Sequence, residues 1–289
     1  MRLNPFDLRL DPSDLRLDRS ELITRRRALW LMGMGGAALL AADAASPTRA
    51  GMADQGQFVV RPATHATPPP RRPTPRPASW TSARLAATTP KKPISDLRQL
   101  VPPPPGASVA LTLDDGPDPR WTPRILDLLD EHDVRATFFA IGSQVKRYPK
   151  ITRRIVDAGH QICNHTMNHP ISFRGMSGKR LETEIGEAHD RIAQVSGVVP
   201  TFFRAPGGNW TPRVLDVVAE HGMLPLDWAV DPRDWSRPGV GRIRKALLKC
   251  EAGNILLVHD GGGDRSQTLK ALRSVIPELK KRGMTFVSL

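Results

Sequence analysis

Ser108-Val-Ala-Leu-Thr-Leu-Asp-Asp-Gly-Pro117 is the stretch on which the reading of this chain turns. Its first six residues make an apolar run of strand length, which ends on two adjacent carboxylates and is then broken by Gly-Pro. The same grammar recurs downstream. Strands are predicted over 108–113, 137–141, 160–163, 201–203, 224–227, 254–259 and 285–288, with helices near 122–132, 149–158, 177–196, 211–221, 240–250 and 265–282. Such alternation implies a mainly parallel sheet with helical crossovers, and about seven βα units favour a barrel over an open sheet.

Reactive side chains fall at the C-terminal ends of these strands: Asp114 and Asp115, His165, Arg204, Asp227 and Asp231, and His259. In a parallel barrel those ends share one face, so residues distant in the chain converge there. Two helices start with nearly the same words, Trp121-Thr-Pro-Arg and Trp210-Thr-Pro-Arg. Thr as N-cap and Pro at the first helical position account for both locally.

Three short segments carry the chemistry: Asp114-Asp115, His165-Thr-Met-Asn-His169 and His259-Asp260. Asp-Asp-Gly-Pro taken alone is an ordinary turn, and a lone strand-end histidine is more often structural than functional. Together they provide a carboxylate and two imidazoles, an N/O ligand set for zinc or a similar ion that can bring the pKa of a bound water toward neutrality. A second carboxylate and a third imidazole remain as base and acid, so hydrolysis is the chemistry indicated. Pro170 and the preceding strand place His165 to His169 in a loop rather than on a helix. Arg204-Ala-Pro-Gly-Gly-Asn supplies a guanidinium suited to holding a carboxylate ionised, and glycines that let backbone N–H groups approach an oxyanion. Asp227 to Trp235 packs three acids and two indoles into nine residues, enough for a small apolar wall beside polar groups.

The N-terminal third has a different composition. Residues 45–105 hold 14 of the 28 prolines and almost no periodic apolar residues, so 45–106 is predicted to be a Pro-rich disordered linker, leaving 107–289 as the folded domain. Thr24-Arg25-Arg26-Arg27 precedes a weakly apolar run from Trp30 to Ala42 and an Ala42-Asp43-Ala44 cleavage candidate. Residues 1–44 therefore resemble a twin-arginine export signal, too short in its apolar part for a spanning helix. Secretion or association with the cell envelope follows. Of the net charge of +13, residues 1–106 carry +8. A basic tether suits an anionic envelope, and one Tyr with no aromatic-rich basic strand argues against nucleic acid as a partner. No stable protein partner is implied. Cys163 and Cys250 are read as buried thiols in preference to a disulfide.

Over roughly 108–289 these elements resemble the polysaccharide deacetylases of the NodB-homology type, carbohydrate esterase family four, with five family motifs in order. The resemblance implies a distorted (β/α)7-type barrel and a metal-dependent hydrolase that removes acetyl groups from an acetylated polysaccharide. By the same resemblance Asp114 is the general base, Asp115, His165 and His169 hold the metal, and Arg204 tethers Asp114. Asp234 tunes the general acid His259, while Pro206, Gly207, Trp235 and Leu257 line the substrate site. Zinc is the implied metal by ligand type, with cobalt or nickel able to take the same geometry. Two positions depart from the family pattern: Leu113 stands where Phe is usual, and Gly207 where Tyr is frequent, which removes an aromatic sugar contact but keeps the backbone N–H. Peptidoglycan N-acetylglucosamine is the substrate first expected, with chitin-like oligomers next. The rival readings are an O-acetyl xylan esterase, a small-molecule amidase or imidase, and a non-catalytic glycan-binding protein.

Overall fold

All seven residues of β1 (Ser108–Asp114) are buried. That is why this strand reads as an apolar run rather than an alternation: it has neighbours on both edges and layers on both faces. The computed structural model describes residues 92–104 and 106–289. The predicted export segment and the linker up to residue 91 lie outside the described residues.

After β1 the chain forms α1 (Thr122–Glu131), β2 (Thr137–Ala140), α2 (Gly142–Arg147), α3 (Pro149–Asp157), β3 (Gln161–Asn164) and α4 (Gly178–Ser196). It continues through β4 (Phe202–Phe203), α5 (Pro212–Glu220), β5 (Leu224–Pro225), α6 (Val240–Leu247), β6 (Ile255–His259), α7 (Ser266–Lys281) and β7 (Thr285–Phe286). Each predicted strand and helix is present. The unpredicted α2 is a six-residue helix with Val145 as its one large buried side chain, too short to show a period.

Every strand pair is parallel, in the order β5-β4-β3-β2-β1-β6, with β7 also on β1. The sheet curls into a barrel with a split between β5 and β6. Alternate residues sort to its two faces as the pleat requires. Val109, Leu111, Leu113, Phe138 and Ile162 pack outward under the helices, whereas Ala110, Phe139, Cys163, Phe202 and Ile255 fill the interior.

What closes the split differs from the sequence reading. Residues 94–100, assigned to the disordered linker, are packed structure. Ile94, Leu97 and Leu100 are buried in the interior cluster, and a short 3-10 turn, Leu97–Gln99, is capped reciprocally by Asp96 and Gln99. Ile94 bonds Pro225 O (2.9 Å) and receives Asp227 N–H (2.7 Å), while Leu97 N–H reaches Gly253 O (2.7 Å). This segment therefore spans from β5 to the start of β6. Nearer the top, Ala229 N–H bonds Ile255 O and Leu257 N–H bonds Val230 O, both at 2.9 Å. Packed structure therefore reaches back at least to Ile94, about a dozen residues before 107, because three apolar side chains at 94, 97 and 100 fill an opening that the seven strands leave.

The two Trp-Thr-Pro-Arg starts also differ. Thr211 is a true N-cap, accepting from Val214 N–H. Thr122 instead lies within α1, and its hydroxyl both accepts from Asp118 N–H (2.8 Å) and donates to the Asp260 carboxyl. Cys163 and Cys250 are both buried, and no disulfide joins them. Among the described residues no helix is long and apolar enough to cross a membrane.

If 94–100 is integral to the barrel, Leu97→Ala should lower unfolding stability by about 2–5 kcal/mol in urea titrations, the range for a fully buried leucine. A residue in a free linker would change it by less than about 0.5 kcal/mol.

Candidate active site and metal centre

Strand register brings the site together. Asp114 is level with His259 on β6 and Phe139 on β2, and Ala140 leads on to Asn164 and Phe203 across β3 and β4. Asp114, Asp115, His165, Arg204 and His259 thus arrive at one end of the barrel, as the strand-end pattern required. A cleft of about 600 Å³ opens there, and its lining includes Asp114, Asp115, His165, His169, Gly207, Trp235, Leu257 and His259.

Arg204 anchors it from below with no exposed surface. Its Nη1 donates to Asp114 Oδ1 (2.7 Å) and Thr112 Oγ1 (2.8 Å), its Nη2 to Asp227 O (2.9 Å), and its guanidinium lies 4.1 Å from the centre of the Phe139 ring. The Arg204 carbonyl accepts a bond from His165 Nδ1 (2.8 Å). A carbonyl only accepts, so Nδ1 donates the bond and Nε2 is the ring nitrogen left to face the cleft.

His165 Nε2 lies 3.5 Å from Asp115 Oδ1 and 3.7 Å from Asp114 Oδ2, and His169 Nε2 lies 3.2 Å from Asp115 Oδ1. One ligand atom from each of Asp115, His165 and His169 falls within 4.8 Å of the others. Asp115 Oδ1 is buried without a hydrogen-bond partner. An orphaned carboxylate oxygen facing two imidazole nitrogens is the arrangement a divalent cation satisfies, so these residues fit the expected metal. The electrostatics agree. Burial pushes the Asp115 carboxyl up, but the His165 and His169 rings beside it more than reverse this and leave it well below the usual range. His169 is raised, first by the Asp115 carboxylate facing its ring.

The backbone at and beside these candidate ligands is unusual. Asp115, Thr166 and His169 have φ values of 75°, 69° and 58°, in the left-handed region that non-glycine residues seldom occupy. His165 to His169 form a loop, in which the Thr166 hydroxyl accepts from His169 N–H (2.9 Å).

Across the cleft, His259 is held by Asp234, which accepts from its Nδ1 (2.7 Å) and its backbone N–H (3.0 Å), while Thr268 Oγ1 donates to the same carboxyl (2.7 Å). Burial depresses the His259 pKa, but the bond and charge of Asp234 outweigh it and lift the group to about 9. Asp234 itself is pushed up by burial and drawn below its ordinary value overall by His259. Leu257 and Trp235 wall the pocket, and Trp235 is 48% exposed. Gly207 lines it with φ 60°, and although Gly208 and Asn209 donate their N–H groups back to Ala205 and Pro206, Gly207 does not. Pro206 is buried in that turn and outside the cleft lining.

Three other features emerge only in the folded chain. Asp260 turns away from the cleft: it is completely buried beside Gly116, and burial lifts its carboxyl to about 7. Asp227 caps the Trp210 indole N–H (2.9 Å) rather than facing the cleft. Trp228, Gly262 and Arg265 join the lining. Trp228 belonged to an indole-rich stretch the sequence singled out, while nothing local distinguished Gly262 or Arg265.

Comparison with known proteins agrees with this architecture. The polysaccharide deacetylase family profile matches residues 102–226. A peptidoglycan-N-acetylglucosamine deacetylase of Bacillus cereus is 43% identical over 183 residues, covering 62% of this chain and 85% of that protein. A chitooligosaccharide deacetylase of a Bradyrhizobium species is 43% identical over 196 residues, covering 61% and 86%. Among solved structures, a peptidoglycan N-acetylglucosamine deacetylase bound to an N-oxidanyl-benzamide compound superposes with a TM-score of 0.64 at 33% identity, over 73% of this chain and 95% of that one. A family-four pseudoenzyme from Bacillus anthracis has a TM-score of 0.59 at 28% identity, covering 64% of this chain and 65% of that one. With these sequence matches, the curled parallel barrel and the Asp-His-His cluster in view, the chain belongs to the polysaccharide deacetylase family, carbohydrate esterase family four.

Proposed function

We propose that this enzyme is a metal-dependent N-deacetylase acting on N-acetylglucosamine in peptidoglycan first and in chitin-like oligomers second. The observation that carries the reading is that Asp114, tied to Arg204, and His259, tied to Asp234, flank the Asp115-His165-His169 cluster in one cleft. The relatives include deacetylases of both polymers. The export-type N-terminus and basic Pro-rich segment favour the wall polymer, and the same sequence features support export by the twin-arginine route. Since the neighbouring folds include a pseudoenzyme, the reading rests on these side chains rather than on the barrel.

A divalent cation, zinc by its ligand set, would supply Lewis-acid charge to the acetyl carbonyl and lower the pKa of the attacking water. Asp114 removes a proton from that water through its free Oδ2, since Oδ1 is engaged by Arg204. Negative charge then grows on the acetyl oxygen, beside the Gly207 N–H. His259, protonated because Asp234 stabilises its cation, passes a proton to the amide nitrogen as the C–N bond breaks. Acetate and a free amino sugar leave. Leu257 and Trp235 bound the space for the acetyl methyl and the sugar.

Purified enzyme should release acetate from peptidoglycan and chito-oligosaccharides but not from small amides. EDTA should stop the reaction and zinc should restore it; undiminished activity after exhaustive chelation contradicts the proposal. Asp114→Asn should reduce kcat by about 10²–10⁴-fold, the usual worth of a general base, with zinc stoichiometry unchanged.

The pH dependence has a definite sign. A histidine raised from about 6.5 to about 9 stays protonated through neutrality. Its share of folding stability is complete below about 6.5 and disappears as pH rises through about 9. Turnover should fall on the same alkaline limb as the acid form is lost, and Asp234→Asn should move that limb to lower pH. An unmoved limb in kcat against pH would reassign the acid.

A further inference from the structure

Glu184, midway along α4, is a buried carboxylate outside the cleft, 4% exposed. No arginine or lysine forms an ion pair with it among the described residues. Burying an acid without a cation is unfavourable unless its oxygens accept hydrogen bonds elsewhere. Both do, and from one residue: Oε2 accepts the Asn168 backbone N–H (2.9 Å) and Oε1 accepts Asn168 Nδ2 (3.2 Å). Asn168 lies immediately before His169 in the ligand loop.

Other contacts converge on the same loop. The Glu184 carbonyl accepts Met167 N–H (2.8 Å), and the Ile185 carbonyl accepts Asn164 Nδ2 (2.8 Å). Asn164 Oδ1 in turn accepts Thr166 N–H (2.9 Å). On the opposite side Gly142 and Ser143, at the start of α2, donate to the carbonyls of Thr166 and Met167 (both 2.9 Å). The loop so gripped holds the sparsely populated φ values at Thr166 and His169, a conformation that persists only where its surroundings over-determine it. His165 is fixed independently, through Arg204 O. His169 is 37% exposed at its side chain, and among the described residues its ring meets only Asp115 and the edge of His165, with no hydrogen bond like the one that fixes His165, so its placement depends on the backbone of residues 166–168.

We propose that Glu184 is a positioning residue for the metal centre: by clamping Asn168 it sets the His169 imidazole against Asp115 Oδ1. It touches neither metal nor substrate and acts through the loop. The proposal rests on the functional reading above for the identity of the ligands, but not on which glycan is the substrate.

The test uses the purified full chain with Glu184→Ala, Glu184→Gln and Asn168→Ala, and measures zinc affinity by competition against a chromophoric chelator together with the melting temperature of the metal-free protein. Glu184→Ala should weaken zinc binding about 10–100-fold, the range for removing a group that orients a ligand. Glu184→Gln, which keeps one acceptor oxygen, should fall between Ala and wild type. Asn168→Ala loses only the side-chain bond and should weaken binding less than Glu184→Ala, and adding it to Glu184→Ala should change little further. Wild-type zinc affinity in Glu184→Ala, with or without a lowered melting temperature, reduces Glu184 to packing and overturns the proposal. Should Glu184→Ala not fold, the exposed Asn168→Ala and the near-isosteric Glu184→Gln decide it, unchanged affinity in both overturning it. A wild-type protein that binds zinc but releases no acetate from any glycan would sink the functional reading, while the zinc measurements would still judge Glu184.

Discussion

A guanidinium with no exposed surface lies under the cleft, and the arrangement above it depends on how that charge is satisfied. Arg204 bonds Asp114 and Thr112 on β1 and the carbonyls of Leu226 and Asp227 beyond β5, joining strands that are not neighbours in the sheet. Its own carbonyl fixes the tautomer of His165. One residue therefore orients the proposed base and one candidate metal ligand. Breaking a buried pair of this kind leaves an uncompensated charge and typically costs about 3–5 kcal/mol, so fold stability and site geometry cannot be separated here.

The two sides of the cleft use the same device with opposite sign. Arg204 holds a carboxylate where the proposed base stands, and Asp234 holds an imidazole as a cation where the proposed acid stands. Each anchor is buried, and each lies on a different strand or turn from the group it controls. Between them, two of the three candidate metal ligands, Asp115 and His169, occupy left-handed backbone, and hydrogen bonds from the surroundings grip the loop before His169. At about 1–3 kcal/mol per strained residue, this is a stability sacrifice concentrated where the chemistry requires fixed geometry.

The barrel is not closed by its strands. Between β5 and β6 the ladder is replaced by residues 94–97 below and 229–230 above. The upper connection continues directly into Asp231, Arg233 and Trp235 of the cleft lining, so the split gives a loop access to the active face. The lower segment carries Ile94, Leu97 and Leu100 among prolines, and composition hid their spacing. An apolar residue every third position over seven residues is too brief a signal to register against a Pro-rich background.

Sequence alone determined the order of strands and helices, the parallel sheet, and the placement of Asp114, Asp115, His165, Arg204 and His259 at one end, because periodicity and strand-end position are local properties that a parallel topology converts into a shared face. It also identified Asp234 as the partner of His259 through the family resemblance. Only the tertiary structure decided that 94–100 belongs to the core, that Asp260 turns inward to Thr122 while its neighbour His259 faces the cleft, that Trp228 and Arg265 line that cleft, and that Glu184 meets Asn168. Adjacent residues on a strand end point to opposite faces, and a buried acid on an amphipathic helix resembles any other until its partner is known. Those are questions of which non-local groups meet, and hydrogen bonds between distant segments leave no periodic trace in a single sequence.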